Sequence, residues 1–120
     1  MSFNTVLRDG VANGFKQFYR AMGKTISYTH RTDSAVTLYA DSRPGDVITG
    51  DVLGADTRQT KRTFFIPRQT NFPPTNGIQI GDAIVENSVR YLVERATDDG
   101  DNLTPQFEVV TVRDQATVVA

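Results

Sequence analysis

The sequence predicts a mainly β protein, a small β-barrel or sandwich of about six strands with an N-terminal amphipathic helix and a long loop or hairpin after the second strand. Three observations lead to this fold class. β-prone runs separated by turn residues follow one another from Thr60 to Arg113, an apolar stripe at helical spacing lies near the N-terminus, and 120 residues suffice for one modest core. We therefore expect a single domain over residues 1–120, with a helix at 4–23, a β-barrel at 25–113 that carries a long loop at 41–62, and a tail at 114–120.

The first segment predicts an α-helix between Asn4, a suitable N-cap, and Gly23, a suitable C-terminal stop. Gly10 and Gly14 each weaken the helix interior by about 1 kcal/mol relative to alanine. The helix should therefore need a docking surface, either its own barrel or a partner subunit. We expect it to cover one mouth or face of the barrel with its apolar stripe, which consists of Leu7, Val11, Phe15, Phe18 and Met22.

The charges of this helix lie on another face. Arg8, Lys16, Arg20 and Lys24 stand against Asp9, whereas the last quarter of the chain is mostly acidic and the whole chain has a formal net charge of -1. A near-neutral chain argues against a protein whose whole surface grips nucleic acid. A basic end and an acidic end suit head-to-tail packing of copies around a ring, with Arg8, Lys16 and Arg20 as the candidate assembly face.

The predicted strands are Thr25–Arg31, Ala35–Ala40, a strand around Phe64–Pro67, Ile78–Ile84, Tyr91–Val93, and a last strand from Phe107 to Arg113. Pro67, Pro73 and Pro74 should stiffen the connection after the third of these strands, and Phe72 should anchor that turn. Asp99-Gly100 predicts the turn of the last hairpin. The acidic residues around it do not predict a calcium loop, because the twelfth position from Asp98 is valine and strands flank the segment.

The segment from Asp41 to Arg62 has a different composition, with recurring glycines and charges of both signs. Loops of this length inside a compact domain are usually functional or mobile, so this segment is the best candidate for a working part. The alternative is an edge hairpin with no functional role. The charged residues of the segment are four acidic and four basic: Asp41, Arg43, Asp46, Asp51, Asp56, Arg58, Lys61 and Arg62.

Residues for catalysis or metal binding are sparse. The chain has no cysteine, and its one histidine, His30, cannot form a usual zinc site alone, so a structural or surface role is expected for it. No phosphate-binding loop is present in the sequence. We expect no catalytic, cofactor-binding or metal-binding residues, and an enzyme is the least favoured class. The sequence predicts neither a signal peptide nor a membrane span.

Several short motifs occur in a characteristic order. An F-x-I-P-like strand at Phe64 is followed by a proline-bearing turn, Asn71-Phe72-Pro73-Pro74, an I-x-x-G-D-x-I-like strand at Ile78 to Ile84, a Y-x-V strand at Tyr91 and a last strand that ends in Arg113. This order resembles the head-closure proteins of tailed bacteriophages, also called head-tail stoppers or head-completion proteins. The resemblance covers most of Thr25 to Arg113.

The resemblance implies a function and a location. It implies a structural protein of the virion neck, assembled in the host bacterial cytoplasm, that forms a twelve-fold or six-fold ring beneath the portal or its adaptor and above the tail terminator or tail tube. The ring would close the head, dock the tail, and hold packaged double-stranded DNA through the loop Asp41 to Arg62. Two alternatives stay open: an oligonucleotide-binding barrel that uses Phe64 and Tyr91 on single strands, and an adaptor or tail-completion protein of the same neck.

Overall fold

The computed structural model describes residues 3–52, 55–97, 100 and 102–114, and for residues 46–52 and 55–59 it describes the backbone. In this part of the chain one helix, α1 (Phe3–Ala21), precedes seven strands. The strands are β1 (Thr25–Thr29), β2 (Val36–Tyr39), β3 (Asp41–Val52), β4 (Ala55–Pro67), β5 (Ala83–Glu86), β6 (Val89–Ala96) and β7 (Gln106–Arg113). The predicted mainly β class with an N-terminal helix is confirmed.

All seven strands belong to one antiparallel sheet in the order β2-β1-β5-β6-β7-β4-β3. The sheet is not closed into a barrel, because β2 and β3 are its edges. These two edge strands are nevertheless joined by Ala40 alone, so the sheet must curl until its edges approach each other. The fold is thus an open, barrel-like sheet.

The side chain of Gln69 bridges the gap beside β2. Its Oε1 accepts the backbone N–H of Tyr39 at 3.0 Å, and its Nε2 donates to the backbone carbonyl of Tyr39 at 2.9 Å. Backbone groups at a sheet edge need partners when they are shielded from water. The amide of Gln69 therefore substitutes for a neighbouring strand at this point.

The core lies inside the curled sheet. On β4, Phe64 and Ile66 point inward and are fully buried, while Phe65 points outward beneath the guanidinium of Arg43. Phe72 anchors the connection after β4, as predicted, because its ring packs edge-on against Tyr28 and Phe107. The core cluster consists of Ile26, Tyr28, Leu38, Ala40, Phe64, Ile66, Phe72, Ile84, Tyr91, Val93, Phe107 and Val109.

The segment after the second strand, predicted as a long loop or hairpin, is a hairpin, because β3 and β4 pair from Asp41 with Phe65 out to Val52 with Ala55. The expected strand at 78–84 begins at Ala83, since Gly81 has a φ of 93° and turns the chain just before it. The backbone hydrogen bonds of an edge hairpin do not require apolar alternation, which explains why β3 gave no strand signal.

The helix ends as the sequence predicts. Gly23 adopts a left-handed conformation with a φ of 69°, its N–H donates to the carbonyl of Arg20 at 3.0 Å, and Lys24 donates to the carbonyl of Tyr19 at 3.0 Å. This is a Schellman C-terminal cap. At the other end α1 begins at Phe3, so the expected N-cap Asn4 lies inside the helix.

The last hairpin is confirmed, since β6 pairs with β7. Asp99 of the predicted turn Asp99-Gly100, and residues 115–120 of the predicted tail, lie outside the described residues. Asp114, the first residue of that tail, is buried and forms an ion pair with Arg90 at 2.7 Å.

Candidate assembly site

Helix α1 docks on the sheet through a narrow face. Ala12 and Tyr19 are 1% and 6% exposed, and the Tyr19 hydroxyl donates to Oε1 of Gln106 on β7 at 2.7 Å. The Arg8 guanidinium donates to the backbone carbonyl of Asn102 at 2.7 Å. Small and polar side chains therefore hold the helix in place, and its large apolar side chains contribute little to this contact.

The apolar stripe of α1 faces away from the sheet. Its members are large and yet exposed, with Phe3 at 75% and Phe18 at 60%. The helix does cover one face of the sheet, as expected, but the stripe does not make this contact, because it is turned away from Ala12 and Tyr19. We call this surface the exposed apolar face; it consists of Phe3, Val6, Leu7, Val11, Phe15, Phe18 and Met22.

The three residues of the predicted basic assembly face occupy different surroundings. The Arg8 side chain is 12% exposed and also contacts Asp9 at 2.9 Å, so it belongs to the docking contact within the chain. Lys16 is half-buried near Arg68 and Thr70, and Arg20 is exposed. The structure does not bring these three cations together as one free surface.

The outer half of the β3–β4 hairpin forms a separate two-stranded arm. The pairing of β4 with β7 ends at Lys61, which lies opposite Val112. On the far side of Lys61, β4 pairs with β3 through six further pairs, from Val47–Thr60 to Val52–Ala55. At about 3.3 Å per residue, six pairs extend roughly 20 Å from the sheet. We call residues 47–52 and 55–60 the arm. The molecule measures 57 × 29 × 27 Å, in keeping with a protruding element of this length.

A bulge marks the base of the arm, where the register shifts between Pro44 and Val47. A Cβ on Gly45 would lie 3.0 Å from backbone atoms of Lys61, so glycine allows the two strands to approach here. Pro44 is tolerated because β3 is an edge strand and needs no second ladder.

Ion pairs anchor the arm to the sheet. Lys61 contacts Glu94 at 3.0 Å, and Arg62 contacts Glu86 at 2.7 Å. Asp41 accepts a hydrogen bond from Lys24 at 2.6 Å. Partial burial opposes ionisation of Asp41, but the bonds from Lys24 and the backbone N–H of the next residue hold its pKa below its usual range.

The expected channel residues thus fall into two groups. Asp41, Lys61 and Arg62 lie at the base of the arm in contacts within the chain, and Arg43 lies over the ring of Phe65. The other members of the predicted set are placed by their backbone on or next to the arm: Asp46, Asp51, Asp56 and Arg58. With three aspartates against one arginine, this outer group is anionic although the whole segment is balanced.

A buried carboxylate outside the arm was missed by the sequence reasoning. Asp82 accepts hydrogen bonds from the hydroxyl of Tyr28 at 2.5 Å, from Nδ1 of His30 at 2.8 Å, and from the backbone N–H groups of Arg31 and Gln79 at 3.1 and 3.0 Å. Burial opposes its charge, yet these four donors keep the pKa of Asp82 below its usual range. Burial together with this carboxylate raises the pKa of Tyr28.

The Asp82 cluster has a structural explanation. It fastens the end of β1 to the turn before β5, and it gives His30 a partner inside the chain. His30 Nε2 is buried without a hydrogen-bond partner among the described residues, so it is not presented to solvent. A triad-like reading would need an exposed imidazole beside a nucleophile. The arrangement favours the structural role that we expected for His30.

The cleft beside the proline-bearing connection holds little chemistry. A cleft of about 510 Å³ lies between the proline-bearing connection and the β6–β7 turn, and no acidic or basic side chain lines it among the described residues. In residues 3–52, 55–97, 100 and 102–114, no three side chains of His, Cys, Asp or Glu are grouped as a metal site would require. No helix in this part of the chain has both the length and the apolar character needed to cross a bilayer.

Comparison with known proteins leaves the chain without an assigned family. No family model matches the sequence, and no curated protein matches it.

Proposed function

We propose that this chain is a structural component of a tailed-phage neck, in which a ring of copies beneath the portal or its adaptor closes the DNA-filled head and forms the docking surface for the tail. The arm is the observation that supports this proposal most strongly. It extends the sheet by about 20 Å beyond the last described pair of β4 with β7. An element of this kind contributes little to stability within one chain and is suited to reaching a neighbour or a channel.

The charge of the arm fits a channel that must later release DNA. Its outer group contains three aspartates and one arginine, while the cations Lys61 and Arg62 are held in ion pairs at the base. Tight binding to DNA requires lysines and arginines that neutralise phosphates. Anionic arms around a channel would obstruct DNA by their bulk and repel its phosphates, so the strand could move once the arms are displaced.

The burial of Phe64 and Tyr91 argues against the oligonucleotide-binding alternative. Phe64 and Tyr91 are buried and pack against each other edge-on with ring centroids 5.5 Å apart. Neither ring could stack on a base without leaving the core. The adaptor and tail-completion alternatives concern the position of the ring in the neck, and the arm would serve either of them.

The proposal is tested by inactivating this gene in the phage that carries it and imaging the lysate by electron microscopy. Free tails beside heads that have lost their DNA are the expected result. Tailed particles that retain their DNA would contradict the proposal.

A second step of the same experiment tests the arm. Phage lacking the gene is complemented with the wild-type chain, with an arm-shortened chain that joins Val47 to Thr60 through an Asn-Gly turn, or with the control Thr49→Ser, which keeps the length and the charge of the arm. We expect the shortened chain to assemble necks whose heads leak DNA, while the control restores infectivity. Full retention of DNA by the shortened chain would show that the arm has no role in the channel.

A further inference from the structure

The exposed apolar face of α1 is too large to be explained as ordinary surface. Summed over its seven side chains, the exposed area is roughly 700 Å², above the ~300–600 Å² of the largest patch on a typical monomer. It is also close to the ~800 Å² that each partner contributes to a stable protein interface. The face therefore has the area that a stable complex requires.

The middle of this face carries two glycines on either side of Val11. Gly10 and Gly14 lie on the same side of the helix as Leu7 and Phe18, and a Cβ at either glycine would meet nothing within 4 Å. Glycine weakens a helix relative to alanine, and no close approach among the described residues accounts for these two. Missing side chains at the centre of an exposed helix face allow a second helix backbone to approach closely.

Larger residues lie on both sides of this centre. Phe3, Val6 and Leu7 precede Gly10, while Phe15, Phe18 and Met22 follow Gly14. When two copies of such a helix pack antiparallel with Gly10 opposite Gly14, the N-terminal bulky group of one copy meets the C-terminal bulky group of the other. The exposed apolar face is therefore complementary to itself under a two-fold axis.

We propose that the exposed apolar face is covered by the same face of a second copy, with the two α1 helices antiparallel and crossing near Gly10 and Gly14. No charged side chain belongs to the face, so pairing buries apolar surface without burying charge. The docking contact of α1 through Ala12 and Tyr19 stays intact in the pair because it uses a different side of the helix.

This inference is independent of the proposed function. A two-fold interface closes after two copies, whereas a ring needs a head-to-tail contact, so the pair and the ring would use different surfaces. The oligomeric state of the purified chain tests the pair, and the phenotype of the phage tests the proposed function, so either proposal can fail without the other.

Analytical ultracentrifugation of the purified full chain, from about 1 to 200 µM, tests the pair. We expect a monomer–dimer equilibrium in this range for the wild type. Val11→Asp should weaken the dimer at least 100-fold, because it places a charge near the two-fold axis. Ser34→Asp adds the same charge at an exposed position before β2, outside α1, and should leave the dimer unchanged. Both positions are exposed in the single chain, so the variants should fold, which circular dichroism checks.

Cysteine cross-linking tests the orientation, since the chain has no cysteine of its own. Val11→Cys should form a disulfide-linked dimer on oxidation. Phe3→Cys should not link to itself, but should link to Met22→Cys when the two variants are mixed. Efficient self-linking of Phe3→Cys would indicate parallel helices and overturn the proposal. A wild type that stays monomeric at 200 µM, or a dimer that Val11→Asp does not weaken, would overturn it as well.

Discussion

The Tyr19 hydroxyl donates a hydrogen bond to Oε1 of Gln106 at 2.7 Å, which ties the last turn of α1 to the first residue of β7. Together with the buried methyl group of Ala12, this bond determines which side of the helix faces the sheet. The apolar stripe is consequently left on the outside. The surface that we assign to assembly exists because a small residue and a tyrosine hydroxyl, rather than the large apolar residues, make the contact within the chain.

The docking contact can be tested at Ala12. Replacing it with leucine should destabilise the folded chain by about 1–3 kcal/mol, because the added methyl groups have no space between α1 and the sheet. Asn13→Leu adds a similar side chain on an exposed side of α1 and should change stability by less than about 0.5 kcal/mol. Urea unfolding of both variants measures the difference. Equal stabilities would mean that α1 does not dock through Ala12.

The buried carboxylate of Asp82 predicts acid sensitivity. Its pKa is lowered in the folded state, so its contribution to stability is complete above the unfolded pKa of about 3.9 and is lost as the pH falls through the folded pKa. Asp82→Asn should cost about 2–4 kcal/mol at pH 7, because charged hydrogen bonds to Tyr28 and to two backbone N–H groups are lost or weakened.

The matching measurement is the free energy of unfolding between pH 2 and 7. The Asp82→Asn variant should lose less stability on acidification than the wild type. The remaining loss should include the contribution of Asp41, whose pKa is also lowered. The exposed Asp33→Asn is the control and should follow the wild-type curve. An unchanged acid slope in Asp82→Asn would show that the cluster is not charged as described.

The bridge between Gln69 and Tyr39 predicts a loss of folding stability when the side-chain amide of Gln69 is removed. Gln69→Met has a similar length but leaves the N–H and carbonyl of Tyr39 without this partner, so stability should fall by about 1–3 kcal/mol. Hydrogen exchange at the Tyr39 amide should accelerate in parallel. Gln17→Met on the exposed side of α1 serves as the control. Unchanged protection of Tyr39 would mean that the amide does not close this gap.

Shortening the arm should leave the domain stable. Joining Val47 to Thr60 through an Asn-Gly turn removes pairs that have no third strand beside them among the described residues, and it keeps the anchors Lys61 and Arg62. We expect the melting temperature to change by no more than about 4 °C, which corresponds to under roughly 1 kcal/mol for a domain of this size. Complete unfolding of the shortened chain would show that the arm belongs to the folding core.

The elements best predicted from the sequence are those that follow from a single periodicity or a single local signal. The strand around Phe64 and Ile66 and the helix end at Gly23 follow from side-chain alternation and from a left-handed glycine. Periodicity also locates the stripe of α1. It does not say which side of the helix meets the sheet, because that depends on Gln106, a residue far along the chain.

The remaining differences have the same origin in long-range contacts. β3 is a strand because β4 lies beside it, although Pro44, Gly45 and the alternating charges are typical of a loop. Asp82 next to Gly81 resembles a solvated turn residue in the sequence. Its four donors come from β1, from the residues after it, and from the turn before β5, and only the fold brings them together.

The proposed neck function is tested most directly by cryo-electron microscopy of the purified phage particle that carries this gene. The account predicts a ring of copies of this chain beneath the portal or its adaptor, with six-fold or twelve-fold symmetry and with the arms directed at the central channel. A particle whose neck is built from other chains, with this chain absent from the virion, would contradict it.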